Sequence, residues 1–119
     1  IFSFPVNDSL TEYNLMITKK DDERGYHYHP EFNEYMMVVA GRCEYTEFVS
    51  NGEDITVVLE VGDSIRIPIG TSHKFKALED YSFVSMLTKH WDKCNNPIIK
   101  VQKSVEDVQI LPQKSVDNE

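Results

Sequence analysis

Cysteine is scarce in this 119-residue chain, which has only Cys43 and Cys94. They show neither the dense pairing of a disulfide scaffold nor the Cys-x-x-Cys spacing of a zinc ribbon, so both are expected to be reduced. Basic residues are also few, with 12 Lys and Arg against 20 Asp and Glu for a net charge of -8. Such a surface repels phosphate backbones and anionic lipids, so neither nucleic acid nor a membrane is an expected partner. No apolar run is long enough to span a bilayer. The stretch Ile1, Phe2, Phe4, Pro5, Val6 is too short for a signal-peptide core and no basic region precedes it, so cytoplasm is the expected compartment. Repeats of fixed period are absent and helix signals are weak.

What is present is a series of short β-rich runs punctuated by Gly, Asn, Asp and Pro, the pattern of an all-β sandwich or barrel. The expected strands are Tyr13 to Lys19, Tyr26 to His29, Glu34 to Ala40, Arg42 to Val49, Ile55 to Glu60, Ser64 to Ile67, His73 to Ala77 and Ser82 to Thr88. Ser50-Asn51-Gly52-Glu53 carries an Asn-Gly pair that favours positive φ and predicts a hairpin between its flanking strands. One domain is expected over residues 1–112, followed by a polar tail over 113–119. A hydrophobic fraction of 40% suffices for one core.

Alternation singles out candidate functional residues. His27 and His29 stand two apart and share one strand face. Glu34 follows after a gap containing Pro30, long enough to turn the chain and set a carboxylate beside them. From His73 onward, Lys74 and Lys76 take one face while His73, Phe75 and Ala77 take the other. With the lysines in water, His73 points inward.

The arrangement His27-x-His29-x4-Glu34-x6-Gly41, then Gly62-x5-Pro68-x-Gly70-x2-His73, resembles the two motifs of the cupin superfamily. Asp21 stands where that pattern usually has a glycine, and Ala77 where it often has an asparagine. The resemblance implies an all-β double-stranded β-helix, or jelly-roll barrel, in a single domain, with His27, His29, Glu34 and His73 as metal ligands. It also implies a homodimer with a small-molecule ligand inside the barrel. The stretch Arg24-Gly25-Tyr26-His27-Tyr28-His29, with Asn33-Glu34, is locally similar to cupins of nucleotide-sugar and capsular-polysaccharide biosynthesis.

Three imidazoles and a carboxylate suit one divalent transition metal, Mn, Fe, Co, Ni or Zn, and disfavour the all-oxygen preferences of Ca and Mg. The imidazoles must be unprotonated to bind it, so occupancy is expected to fall below about pH 6. The leading functional expectation is a sugar or sugar-nucleotide isomerase or epimerase. The alternatives are an Fe-dependent dioxygenase of a small organic substrate and a non-catalytic small-ligand sensor. For acid–base work the candidates are His90 and a tyrosine, Tyr28 being one of several strand tyrosines with Tyr13, Tyr26 and Tyr45. His90, Trp91 and Asp92 follow the last expected strand as a candidate cap on the barrel mouth. Arg66, between Ile65 and Ile67, would clamp an anion if it points inward.

Overall fold

The computed structural model describes residues 3, 5–101 and 110–113. Its strands are β1 (Glu12–Thr18), β2 (Glu23–Tyr28), β3 (Glu34–Ala40), β4 (Arg42–Glu47), β5 (Ile55–Glu60), β6 (Ser64–Ile67), β7 (His73–Ala77), β8 (Tyr81–Leu87), β9 (Ile98–Val101) and β10 (Ile110–Gln113). One turn of 3-10 helix spans Trp91–Lys93. The first eight strands match the expected ones to within three residues at each end. The sequence reading lacked β9 and β10. Because β10 runs through Gln113, the barrel extends into the first residue of the expected tail, and the rest of that tail lies outside the described residues.

Among the described residues all strand pairings are antiparallel. A smaller sheet has the order β1-β8-β3-β6 and a larger one β10-β9-β2-β7-β4-β5, and the two face each other as a jelly-roll barrel. The β4–β5 hairpin closes where Asn51-Gly52 predicts it, with Glu47 opposite Ile55. Between the sheets lies a continuous core that includes Met36, Val38, Cys43, Ile67, Phe75, Tyr81 and Phe83. Each such side chain contributes roughly 1.5–3 kcal/mol through burial. Cys43 is buried, Cys94 is partly buried, and both are free thiols. Among the described residues no helix is long and apolar enough to cross a membrane.

One irregularity positions the site. Opposite β7 the register of β2 slips between Gly25 and His27, so Tyr26 is an extra residue in the ladder. Gly25 has φ 115 and Tyr26 has φ 57. A β-bulge of this kind re-aims the strand beyond it. Here it brings His27 directly opposite His73, while the Tyr26 ring turns outward to stack on Phe48 at 5.6 Å. At Gly25 a Cβ would come within 2.6 Å of Lys74 Cα and 2.7 Å of the His73 carbonyl oxygen, so this close approach of β2 to β7 requires glycine. Asp21, where the family pattern has glycine, has φ 75. Aspartate is among the few side chains that tolerate that region.

The two outer faces differ. On the larger sheet, Glu23, Arg42, Glu44, Lys74 and Lys76 face outward. On the smaller sheet the outward strand positions are Tyr13, Leu15, Ile17, Tyr35, Met37, Ala40, Ser64, Arg66, Ser82, Val84 and Met86, none of them acidic, and Asp8 reaches this face to pair with Arg66.

Candidate metal centre

His27 and His29 come from the end of β2 and the residue just beyond it, His73 from the start of β7, and Glu34 from the start of β3. All four are buried. The ring centroids lie 4.8 Å apart for His27–His29, 5.0 Å for His27–His73 and 5.3 Å for His29–His73. One nitrogen from each ring lies within 4.8 Å of the other two.

Backbone carbonyls fix the tautomers, because a carbonyl can only accept. His73 Nδ1 donates to the Thr71 oxygen at 2.8 Å, which leaves the lone pair of the neutral ring on Nε2. His29 Nδ1 donates to the Pro97 oxygen at 3.1 Å, which leaves its lone pair on Nε2, 3.1 Å from Glu34 Oε1. Ser85 Oγ donates to the other carboxylate oxygen at 2.7 Å. His27 Nδ1 and His73 Nε2 are buried and have no hydrogen-bond partner among the described residues.

Burial, reinforced by the other two imidazoles, holds His27 far below the ordinary histidine range. Burial, with His29 next, pushes His73 down to about 4. Both rings therefore stay neutral at pH 7 with their lone pairs available. Burial raises Glu34, and positive charge at the imidazole cluster together with the Ser85 hydrogen bond outweighs it, so the carboxyl sits below its usual value where a proton or a cation supplies that charge.

A lone pair facing a carboxylate oxygen is repulsive unless a proton or a cation lies between them, and orphaned buried nitrogens cost about 1–3 kcal/mol each. These donors fit a divalent transition ion. Three neutral imidazoles and one carboxylate would supply its ligands, and the Pro97 and Thr71 carbonyls would orient the His29 and His73 rings as outer-shell groups commonly do.

The loop over this centre is tied down locally. Glu31 accepts from Lys89 Nζ at 2.8 Å and from the Asn96 amide at 2.7 Å, which delivers the Pro97 carbonyl to His29. Asn33 Oδ1 accepts from the Ile69 amide at 2.8 Å and joins the loop before β3 to the turn before β7. Trp91 reaches the site, its ring 6.5 Å from His29. With Asn14, Met16 and Ser85 it encloses a cavity of about 30 Å³ beside His29 and Glu34. That is room for a water molecule or two.

The other three sequence candidates do not join the cluster. His90 is half exposed, with Nδ1 3.6 Å from Glu12, because the turn carrying it directs Trp91 rather than His90 over the barrel. Tyr28 lies between His27 and His29 and so takes the opposite face of the strand. Arg66 lies on the outer face, with Nε donating to Tyr35 Oη at 3.1 Å and 3.5 Å from Asp8 Oδ2, because Ile65 and Ile67 take the inward positions of β6. Sequence reasoning missed Glu47. Register places it directly opposite His73, on the inward face, and it accepts from Tyr45 Oη at 2.8 Å. Its signal was a parity count of two residues on from Tyr45 along β4, masked by its charge.

Fold and site together define a small antiparallel barrel built around a buried histidine cluster. The model of the cupin domain family matches residues 14–87, more than half of the chain, and the chain belongs to that family. No match was found among curated proteins. Among solved structures, the capsular polysaccharide assembling protein CapF from Staphylococcus aureus superposes with a TM-score of 0.68 at 21% identity, covering 78% of this chain and 27% of CapF. The dTDP-4-dehydrorhamnose 3,5-epimerase from Sulfolobus tokodaii gives 0.59 at 25% identity, over 69% of this chain and 53% of the epimerase. A 3,4-ketoisomerase from Helicobacter canadensis gives 0.69 at 16% identity, over 80% of this chain and 71% of that one. The chain thus spans about a quarter of the length of CapF and about half that of the epimerase.

Proposed function

We propose that this cupin binds one divalent transition metal through His27, His29, Glu34 and His73 and acts on a sugar or sugar nucleotide as an isomerase or epimerase. The observation that carries the metal is the apposition of His29 Nε2 and Glu34 Oε1 at 3.1 Å, beside the orphaned nitrogens of His27 and His73. Support for the substrate class comes from the stretch Arg24 to His29 with Asn33-Glu34, and from structural neighbours named as a sugar epimerase and a ketoisomerase. When bound, the ion would polarise a carbonyl as a Lewis acid. The chain's own part is to hold the ligand groups neutral, orient them through Thr71, Pro97 and Ser85, and limit water beside them to the small cavity.

Cobalt(II) titration of metal-stripped protein tests the metal. Wild type is expected to develop a visible absorption band at one equivalent and to melt higher. His73→Ala and Glu34→Gln are expected to weaken binding by tenfold or more. A wild-type chain that neither gains colour nor gains stability with any of the five ions would overturn the reading. The cavity of about 30 Å³ beside His29 and Glu34 also has room for dioxygen, which favours an Fe-dependent dioxygenase as the second reading. Oxygen consumption by the iron-loaded protein with small organic acids or thiols would select it. A protein that binds nucleotide sugars without transforming them would be the sensor.

We infer further that the chain pairs with a second copy through the outer face of the smaller sheet. On β1, Tyr13, Leu15 and Ile17 are 77%, 59% and 64% exposed. A chain of net charge -8 repels its own copies least where unpaired acids are missing; the outward strand positions of this face carry no acid, and Asp8, which reaches it, is paired with Arg66.

A further inference from the structure

The cavity under Trp91, about 30 Å³, does not hold a sugar ring. The β4–β5 side offers an opening. Ile55 and Val57 pair with Glu47 and Tyr45 and share their inward face, yet they are 51% and 42% exposed. One further step inward, Leu59 is only 5% exposed. The inner wall of the barrel is thus bare at one end of β5, and Glu47 stands at the inner edge of that opening. His27, His73, Glu47 and Ile55 form one row across four adjacent strands.

From this row we propose that Glu47 is the catalytic base of the site and Tyr45 its positioning residue. The proposal rests on the isomerase or epimerase reading and names the proton-moving group for it. A ligand entering over Ile55 and Val57 meets Glu47 before the histidines. Tyr45 Oη occupies Oε2, while Oε1 has no hydrogen-bond partner among the described residues and is left for the ligand. The Tyr45 ring is buried and packs 5.2 Å from Phe75 and 6.1 Å from His73, which fixes the hydroxyl. Burial, then Glu47 itself, raises the phenol well above its ordinary value, so it stays a donor.

The step balances without an oxidant. Glu47 Oε1 takes the proton from the carbon next to a sugar carbonyl, the C–H electron pair forms the C=C bond, and the C=O π pair moves onto oxygen as an enolate. Return of a proton to that carbon and of the electron pair to the carbonyl regenerates the keto sugar, unchanged if the proton comes back from Glu47 and epimerised if water delivers it to the opposite face. A proton held on a partly exposed carboxyl exchanges with water between these two events.

The test is deuterium incorporation from D₂O into dTDP-4-keto-L-rhamnose, followed by NMR with the full chain loaded with metal. Wild type should exchange the proton next to the carbonyl. Glu47→Gln, close in shape, should lose about a hundredfold or more, the usual scale for general acid–base catalysis. Tyr45→Phe should slow exchange at saturation about tenfold while leaving the half-saturating concentration unchanged, a split that a general loosening of the barrel would not produce. Glu44→Gln, on the outer face of the same strand, should exchange like wild type. Exchange by wild type and Glu47→Gln at the same rate, with unchanged melting temperatures, would overturn the assignment alone. No exchange by wild type would overturn the isomerase reading and the assignment with it.

Discussion

Replacing Gly25 by alanine should damage the candidate metal centre from a distance, through the backbone. The added methyl meets Lys74 Cα at 2.6 Å and the His73 carbonyl oxygen at 2.7 Å, both main-chain atoms that cannot rotate away. Alanine at φ 115 also carries backbone strain of about 1–2 kcal/mol, and forcing the two strands apart adds about 1–3 kcal/mol. The sum, about 2–5 kcal/mol, corresponds to a fall in melting temperature of about 10 °C or more for a domain of this size. Gly70→Ala is the internal control. It has φ 86 and so similar strain, but no atom lies within 4 Å of its added methyl. Thermal unfolding followed by circular dichroism, with cobalt titration of each variant, separates the two effects. Gly70→Ala should lose a few degrees and bind cobalt normally, whereas Gly25→Ala should lose more and bind at least tenfold more weakly. Equal melting temperatures, or normal cobalt affinity in Gly25→Ala, would refute the argument that the β2–β7 approach sets the His27–His73 geometry.

The metal-free protein should lose stability as pH falls. Because His73 has a folded value near 4 against 6.5 for the free side chain, the unfolded chain takes up its proton first. Stability is then full above pH 6.5 and declines by roughly 3 kcal/mol as pH drops toward 4, at 1.36 kcal/mol per unit. Urea unfolding between pH 7.5 and 4.5 reads this, and a flat profile would contradict a neutral buried His73. Arg66→Ala should change stability little, since its ion pair with Asp8 is exposed to solvent screening, and leave cobalt affinity unchanged. A loss of metal binding would show that the outer face of β6 is coupled to the centre. Leu15→Lys should turn a dimer into a monomer in sedimentation experiments, while a monomeric wild type would remove the proposed pairing.

Much of the centre was legible because strand alternation is strict where one face is buried. The lysines at 74 and 76 assign His73 inward, and the two-residue spacing of His27 and His29 needs nothing more. Long-range pairing was less accessible. Arg66 could be read either way until Asp8 and Tyr35 gave it a surface partner, a contact spanning 58 residues in sequence to Asp8. β9 escaped because Ile98–Val101 is only four residues and follows Asn95-Asn96-Pro97, which reads as loop. Glu47 was hidden by its own chemistry, since a charge at a strand end is ordinarily a solvated one. Recognising it required knowing which residue of β7 stands opposite.

Tyr26 also has an effect at the far end of the barrel. Counting back from His27 by simple alternation puts Arg24 in water, but the inserted residue reverses the phase of the strand, and Arg24 stands opposite inward-facing Phe75. From there its guanidinium crosses to β1, donating to Thr18 Oγ1 at 2.6 Å and to the Ile17 carbonyl at 3.0 Å. A single added residue thus serves both ends of β2, pointing an imidazole into the histidine cluster above and clasping the two sheets together below. Deleting that residue would unfasten the floor as well as misalign the imidazoles.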